Sequence, residues 1–292
     1  MNCIEQVTTE DYTLIHGDCV DALKGIPDKS VGYSIFSPPF ASLYTYSNSP
    51  RDMGNVRNDA EFFEHFDYLI AELRRVMKPG RNVSFHCMDM PSSKERDGVI
   101  GLKDFPGDLL RAFQRHGFIF HAKATIWKDP VTAMTRTKAL GLLHKSIRER
   151  SEMTRMGIPD YLITVRAPGE SEHVKHTADE FPVSLWQRIA SPVWMDIDPS
   201  DTLQFRSARE HDDERHICPL QLEVIRRGVM LWTNPGDIVL TPFGGIGSEP
   251  YIAVEMGRKA IAVELKESYF RQMVANVANA KAKTIDLFAS AA

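Results

Sequence analysis

The stretch that decides the fold lies late in the chain, where residues 237–248 read Asp237-Ile238-Val239-Leu240-Thr241-Pro242-Phe243-Gly244-Gly245-Ile246-Gly247-Ser248. An apolar strand here runs into a glycine turn, and residues 249–256 then predict a helix. Glycines permit a positive φ and let a ligand approach the backbone closely. Amides at a helix N-terminus favour an anionic group. Glu264 ends the next predicted strand, where an acid can hold ribose hydroxyls. The stretch therefore predicts a nucleoside-containing cofactor.

Two other interpretations of the glycine turn stay open at this point. A nicotinamide-dependent oxidoreductase can be built on the same kind of sheet. Its fingerprint needs a third glycine three residues after Gly247, where Pro250 stands. The glycines can also serve only a tight turn between a strand and a helix. The acid at position 264 favours a cofactor site over a turn that is only structural.

The rest of the chain predicts an α/β fold with a doubly wound, mostly parallel, Rossmann-like sheet. Further strands are predicted at 12–16, 31–36, 82–87, 118–127 and 161–166, with helices between them. Asp59 is predicted to cap one helix, and Pro219 to begin another that ends at Trp232. Strands that alternate with helices imply a sheet covered on both faces.

Composition restricts the class of protein. The 292 residues carry a formal net charge of −4, so a nucleic-acid binder of this kind must concentrate its basic residues on one face. The four cysteines show no paired spacing, and His216 with Cys218 makes a poor zinc site. The chain has no apolar run of membrane-spanning length and no signal-peptide pattern. We expect a cytoplasmic protein without a membrane segment or a metal.

A second motif, Ser37-Pro38-Pro39-Phe40, directly follows the strand predicted at 31–36. An exocyclic amine of a nucleobase is a poor nucleophile, because its lone pair is delocalised into the ring. Fixed acceptors aimed at the amine hydrogens favour its attack on a methyl group. The prolines can fix a backbone carbonyl beside the Ser37 side chain, and Phe40 can stack on the base. The alternative is a loop that merely leaves the strand.

Position favours the functional interpretation. In a doubly wound sheet, the strand before the cofactor turn and the strand that starts the other half are neighbours at the switch point. The fold should therefore bring Gly244 and Ser37 together.

In their order, these motifs resemble the amino-methyltransferases of DNA restriction-modification systems and phages, in the permuted β-type arrangement. That family has the catalytic tetrapeptide first, the target-recognition segment next and the cofactor turn last. Segments 76–81, 159–163 and 234–237 are similar to other family motifs. The resemblance implies three regions: a catalytic half at 1–127, an inserted target-recognition region at 128–215 that includes the strand near 161–166, and a cofactor half at 216–292.

The resemblance implies S-adenosyl-L-methionine as the cofactor. One departure stands out, because Thr241 occupies a position where the family usually has Asp. The implied cofactor residues are Asp18, Gln221, Thr241, Phe243, Gly244, Gly245, Gly247, Ser248 and Glu264.

The implied partner is double-stranded DNA, from which the target base must be flipped. Seven basic residues against three acidic ones lie between Lys128 and Ile158, inside an acidic protein. The predicted DNA contacts are Tyr44, Tyr46 and Arg51 near the base, and Arg136, Lys138, Lys145, Arg148, Arg150 and Arg155 at the phosphates. The alternative is that these charges form a solvated face.

A serine at the first position of the tetrapeptide is associated in this family with cytosine-N4 methylation, so Ser37 favours cytosine over adenine-N6. A cognate restriction endonuclease is a further implied partner, and the chain is expected to be a monomer or a homodimer. A DNA-binding relative without catalytic activity remains a third interpretation.

Overall fold

The computed structural model describes residues 3–39, 53, 56, 58–131, 143–204 and 219–290. Within these ranges, strands and helices alternate along most of the chain. The strands are β1 (Cys3–Thr8), β2 (Tyr12–Gly17), β3 (Val31–Phe36), β4 (Met77–Met88), β5 (Met90–Ser92), β6 (Gly101–Lys103), β7 (Ile119–Ile126), β8 (Asp160–Arg166), β9 (Val193–Trp194), β10 (Ile238–Thr241) and β11 (Lys259–Glu264). The helices are α1 (Cys19–Leu23), α2 (Asp59–Val76), α3 (Lys94–Asp97), α4 (Phe105–Arg115), α5 (His144–Glu149), α6 (Val183–Ile189), α7 (Leu222–Trp232), α8 (Ser248–Glu255) and α9 (Glu267–Ser290).

Nine of these strands form one sheet in the order β1-β2-β11-β10-β3-β4-β8-β7-β9. The central run from β2 to β4 is parallel throughout. β1 and β8 run antiparallel to their neighbours, and β9 is parallel to β7. The predicted mostly parallel, doubly wound sheet is confirmed. We call the edge where β2, β11, β10, β3 and β4 end the carboxyl edge; β7 also ends there, and β8 begins there.

Apolar side chains cover both faces of the sheet, as predicted. On one face, fully buried residues of α2 and α4 such as Phe62, Phe66 and Phe113 pack against β3, β4 and β8. On the other face, Val224 of α7 and Ile252 of α8 form a second buried cluster with β10 and β11. A strand with helices on both sides must be apolar on both sides, which is why β3 is buried along its whole length.

Several local predictions were wrong. Asn58, not Asp59, caps α2, since its side chain accepts a hydrogen bond from the backbone N–H of Glu61. α7 begins at Leu222 rather than Pro219, because Gln221 keeps an extended backbone as its N-cap. β1, β9 and the long helix α9 were not predicted. α9 contributes to the core. Its Phe270, Met273 and Val277 are buried in the second cluster, with residues of α7, α8, β10 and β11.

Candidate functional site

The sheet places the two motifs side by side. β10 pairs with β3 in parallel, with Val239 opposite Tyr33 and Leu240 opposite Ser34. Both strands therefore reach the carboxyl edge together, one leading into the glycine turn and the other into Ser37. At the end of β3, the ring of Phe36 meets the ring of Phe243 edge-on, with centroids 5.7 Å apart. The expected meeting of the glycine turn and the Ser-Pro-Pro motif is thus seen in the fold.

The three glycines of the turn differ in what surrounds them. A Cβ at Gly244 would meet Met273 Sδ at 2.8 Å, and one at Gly247, where φ is +94°, would meet Met273 Cγ at 2.9 Å. Met273 of α9 therefore leaves no room for a side chain at these two positions. Gly245 has a φ of +51°, and a Cβ there would meet nothing within 4 Å. The turn is therefore packed on its inner side and open at Gly245, where a ligand could approach the backbone.

Glu264 is fixed at the end of β11 by two backbone amides. One of its carboxylate oxygens accepts a hydrogen bond from Gly245 N at 2.7 Å, and the other accepts one from Lys266 N at 2.7 Å. β2 lies parallel to β11 with His16 opposite Glu264, so Asp18 follows at the same edge. Asp18 caps α1 by accepting from Asp21 N at 3.0 Å. Two acids thus stand at adjacent strand ends, as the cofactor prediction requires.

Buried side-chain oxygens without a hydrogen-bond partner among the described residues include Gln221 Oε1, Thr241 Oγ1 and Ser248 Oγ. Buried polar groups are normally hydrogen-bonded, so unsatisfied ones indicate a place for a polar ligand. All three were predicted cofactor residues. Thr241, 1 % exposed, keeps a hydroxyl available where the resemblance leads one to expect a carboxylate. The residues present fit a polar, nucleoside-containing cofactor.

Ser37 is the start of a line of polar side chains that the sequence analysis did not identify. Ser37 Oγ lies 3.1 Å from His86 Nδ1. His86 Nε2 lies 3.1 Å from Asp160 Oδ2, an ion-pair contact poorly aligned for a hydrogen bond. Asp160 Oδ1 in turn accepts a hydrogen bond from Lys128 Nζ at 2.6 Å. Burial opposes ionisation of Asp160, but its contacts with His86 and with the Lys128 ammonium outweigh it and hold its pKa below the usual value.

A weak sequence signal for this line does exist. Along β4, Ser84 and His86 alternate with apolar Phe85 and Cys87, so two polar side chains share one face of a buried strand. Polar residues in such a strand need partners. Those partners are Thr164 and Asp160 of β8 and Ser37 after β3, which only the fold brings alongside.

The predicted DNA contacts are only partly visible. Lys145 and Arg148 lie on α5, which has no buried residue, and Lys145 pairs with Glu149 at 3.5 Å. Arg150 pairs with Glu152 at 3.2 Å, while Arg155 is half-buried and its pKa is lowered by that burial. This segment connects the end of β7 to the start of β8, so it leaves and rejoins the sheet at the carboxyl edge. The predicted residues Phe40, Tyr44, Tyr46, Arg51, Arg136 and Lys138 lie outside the described residues.

Neither a membrane-spanning helix nor a metal cluster occurs in the described part of the chain. None of the helices there is long and apolar enough to cross a membrane. The same residues contain no group of three His, Cys, Asp or Glu side chains able to hold a metal ion, and His216 and Cys218 fall outside them.

Comparison with known proteins agrees with this geometry. Residues 33–275 match the model of the N6_N4_Mtase family, described as DNA methylase. The type II methyltransferase M.BglII of Bacillus subtilis is 24% identical over 88% of the chain, and the match spans 66% of that relative. The DNA adenine methyltransferase YhdJ of Escherichia coli K12 is also 24% identical, over 90% of the chain and 81% of its own length.

Solved structures share the fold. A DNA modification methylase of Thermus thermophilus, described as putative and complexed with S-adenosyl-L-methionine, matches with a TM-score of 0.68 and 20% identity over 93% of the chain and 96% of its own. The cytosine-N4-specific PvuII DNA methyltransferase matches with a TM-score of 0.66 and 16% identity, over 98% and 97% of the two chains. The family match covers most of the sequence and the cofactor turn lies within it, so the chain belongs to the N6/N4 family of DNA methylases, with S-adenosyl-L-methionine as its cofactor.

Proposed function

We propose that this chain methylates the N4 amine of cytosine in double-stranded DNA, within a short recognition sequence. The observation that carries the proposal is the position of Ser37. Its hydroxyl follows β3 at the carboxyl edge, beside the strand that leads into the cofactor turn. A neutral hydroxyl, rather than a carboxylate, therefore heads the motif that would face the reacting amine.

The chain's own residues would prepare the amine for attack. S-adenosyl-L-methionine, when bound, supplies an electrophilic methyl group. Ser37 Oγ and a backbone carbonyl of the Pro38-Pro39 segment accept hydrogen bonds from the amine hydrogens, which favours a lone pair localised on nitrogen. The prolines restrict the backbone, so little reorganisation is needed during the reaction. Phe40 would stack on the flipped base.

The cofactor would lie across the ends of β10, β11 and β2. Glu264 would hold the ribose hydroxyls, and Asp18 would lie near the adenosyl group. The glycine turn gives close access to the backbone at Gly245. The unsatisfied oxygens of Gln221, Thr241 and Ser248 would receive hydrogen bonds from the polar parts of the cofactor. Phe243, Gly244 and Gly247 complete the turn.

Adenine-N6 is the second candidate target, and one comparison favours it: YhdJ, a relative of similar identity, is named an adenine methyltransferase. Support for cytosine comes from Ser37 and from the likeness to the PvuII enzyme. The two bases present similar exocyclic amines, so the fold alone does not choose between them.

DNA would reach the site from the carboxyl edge. The basic residues Lys145, Arg148, Arg150 and Arg155 would contact phosphates, and the segment that carries Tyr44, Tyr46 and Arg51 would cover the flipped base. We propose the same phosphate-contacting role for Arg136 and Lys138. A partner nuclease, the choice between monomer and homodimer, the cytoplasmic location and the boundaries of the recognition region stay predictions.

The decisive experiment incubates the purified chain with a methyl-labelled cofactor and DNA of mixed sequence, followed by analysis of the nucleosides. We expect label in N4-methylcytosine. Label confined to N6-methyladenine would reject cytosine in favour of the second candidate, and binding of DNA without any labelled base would favour a non-catalytic relative.

Ser37→Ala tests the site itself. Losing a fixed acceptor at the reacting amine should lower single-turnover methylation about 100-fold while leaving cofactor affinity unchanged. Ser34→Ala is the matched control, because Ser34 lies on β3, which leads into Ser37, and its hydroxyl donates to Leu240 O at 2.9 Å within the core. This control should lose about 1 kcal/mol of stability and keep its methylation rate. Equal activity in both variants would remove Ser37 from the mechanism.

A further inference from the structure

The polar line behind Ser37 is part of the folded core rather than of the surface. Asp160 is 3 % exposed, and the His86 side chain is 12% exposed. On the paired strands, His86 stands opposite Leu162, so Asp160 is its diagonal neighbour on the same face. β3 is parallel to β4, with Phe36 opposite Phe85, which brings Ser37 alongside His86. Three strands and Lys128, two residues beyond the end of β7, are thus needed to assemble the line.

The charges along the line determine which imidazole nitrogen carries the proton. Asp160 is an ionised carboxylate held by Lys128, and it faces His86 Nε2 at 3.1 Å. A carboxylate at that distance favours a proton on Nε2. In the neutral imidazole, Nδ1 is then an acceptor, and it receives the hydroxyl proton of Ser37. The lone pairs of Ser37 Oγ are thereby left to the substrate amine.

We propose that His86, held by Asp160, is the positioning residue that orients the Ser37 hydroxyl and takes up, through it, the proton that the methylated amine must lose. This inference rests on the proposed amine methylation at Ser37.

The proton balance is simple. After gaining a methyl group, the amine nitrogen carries a positive charge and one surplus proton. That N–H bond breaks as Ser37 Oγ takes the proton, while the original Ser37 O–H bond breaks and its proton bonds to His86 Nδ1. Serine ends as a neutral hydroxyl, the amine is neutral, and the charge resides on an imidazolium next to Asp160. Release of that proton to solvent resets the line.

Other ionisable groups near the end of β4 lie on the opposite face of the sheet. Lys123 Nζ lies 3.8 Å from the ring centroid of Tyr161, whose hydroxyl donates to Asp89 at 3.4 Å. Tyr161 follows Asp160 in the strand, so its side chain points away from His86. The charged side chains that belong to the line itself are Asp160 and Lys128.

The test is the pH profile of single-turnover methylation in the full chain. If a neutral His86 is needed, the wild-type rate should fall as the pH is lowered. We call this fall the acid limb of the profile. His86→Asn can still accept the Ser37 hydrogen bond but cannot take a proton, so it should be about 100-fold slower and lack that acid limb.

Two further variants move the limb in opposite directions. Asp160→Asn removes the carboxylate that favours the imidazolium, so the limb should shift to lower pH. Lys128→Met leaves the carboxylate uncompensated, so the limb should shift to higher pH. Thr164→Val is the control: it removes the Ser84–Thr164 hydroxyl contact of 2.8 Å between the same two strands, and should lower stability without moving the limb.

The tautomer of His86 gives a readout that does not depend on methylation. Nitrogen NMR of the cofactor-free chain should show the proton on Nε2 in the wild type. A proton on Nδ1, an acid limb retained in His86→Asn, or shifts of the same sign in Asp160→Asn and Lys128→Met would each overturn the inference. Absence of base methylation by the wild type would instead overturn the proposed function, with the tautomer still measurable.

Discussion

Two glutamates near the cofactor turn show how surroundings determine the behaviour of one residue type. Glu264, at the end of β11, accepts two backbone hydrogen bonds, each of 2.7 Å. Glu249 is the second residue of α8 and is 5 % exposed. Burial, together with repulsion from Glu264, outweighs its own backbone amide and raises the pKa of Glu249 to about 8. At neutral pH without cofactor, Glu249 therefore keeps its proton.

This shift predicts a pH dependence of stability. The pKa of Glu249 rises from 4.5 to about 8 on folding, so the folded state binds the proton more tightly than the unfolded state does. Its stabilising contribution is complete below pH 4.5 and is lost as the pH rises through about 8. Glu249→Gln should remove that loss, so the variant should melt above the wild type at about pH 9 and show a flatter profile.

The measurement is Tm across this pH range without cofactor, taken as the difference between wild type and variant. Glu255→Gln on the same helix, where Glu255 pairs with Arg226 at 2.7 Å, is the control and should keep the wild-type slope. A wild-type slope in Glu249→Gln would show that Glu249 titrates normally.

At the scale of elements, β4 is joined to β10 by a buried ion pair far from the site. Arg81 and Asp237 are 4 % and 7 % exposed, and the Arg81 guanidinium donates to the Asp237 carboxylate and to Gly32 O. Asp237 precedes β10, so the ion pair joins β4 and β10 near where these strands begin, at the edge of the sheet opposite the carboxyl edge. Contacts where the strands begin help to set the pairing registers of β3, β4 and β10. These registers determine the positions of Ser37 and of the glycine turn at the carboxyl edge.

Arg81→Met should lower the free energy of unfolding by about 3–5 kcal/mol, because it leaves the buried Asp237 carboxylate without its main partner. Denaturant titration gives the value. Asp237→Asn in the same background removes the charge and keeps an acceptor for Asn234 N, which donates to Asp237 at 2.8 Å in the wild type. The double variant should recover part of the loss. No recovery would mean that packing of the arginine stem, rather than charge, stabilises the entry.

At the scale of the whole molecule, basic charge is concentrated where the sheet would meet DNA. The chain has a formal net charge of −4, yet the segment between β7 and β8 is basic and joins the sheet at the carboxyl edge. α5 within it buries no side chain, so the fold does not need its charges. A positive surface beside the site can direct a polyanion there despite the acidic whole.

Replacing Lys145, Arg148 and Arg150 by alanine should weaken DNA binding and reduce its salt dependence. Each lost phosphate contact lowers the slope of log affinity against log salt by about 0.9. Fluorescence anisotropy over a range of salt concentrations measures this slope. The control is the double variant Arg111→Ala and Arg115→Ala on α4. These two side chains are 56% and 54% exposed. α4 precedes the start of β7, so it lies at the end of the sheet away from the carboxyl edge. Equal loss in both variants would show nonspecific attraction rather than a DNA-facing segment.

The sequence by itself determined the fold class, the family and the two motifs. Alternating apolar strands and helices specify a covered parallel sheet, and the strand-glycine-helix order specifies a cofactor turn, because both depend on local patterns of polarity and backbone freedom. Helix boundaries were less certain: Asn58 and Asp59 are both good caps, and the choice depends on where the chain enters α2. β1 and β9 escaped prediction since short edge strands form only when a partner strand is present.

Only the tertiary structure decided what stands behind Ser37. Neither His86 in a buried strand nor Asp160 at the start of another has a partner nearby in sequence, and contacts such as these arise from strand order and register. The fold brings both behind the Ser-Pro-Pro motif, and it buries polar side-chain atoms of Gln221, Thr241 and Ser248 without a hydrogen-bond partner among the described residues. The Ser-Pro-Pro-Phe motif can be identified in the sequence. The side chains that contact His86 behind it come from segments that meet only in the folded sheet.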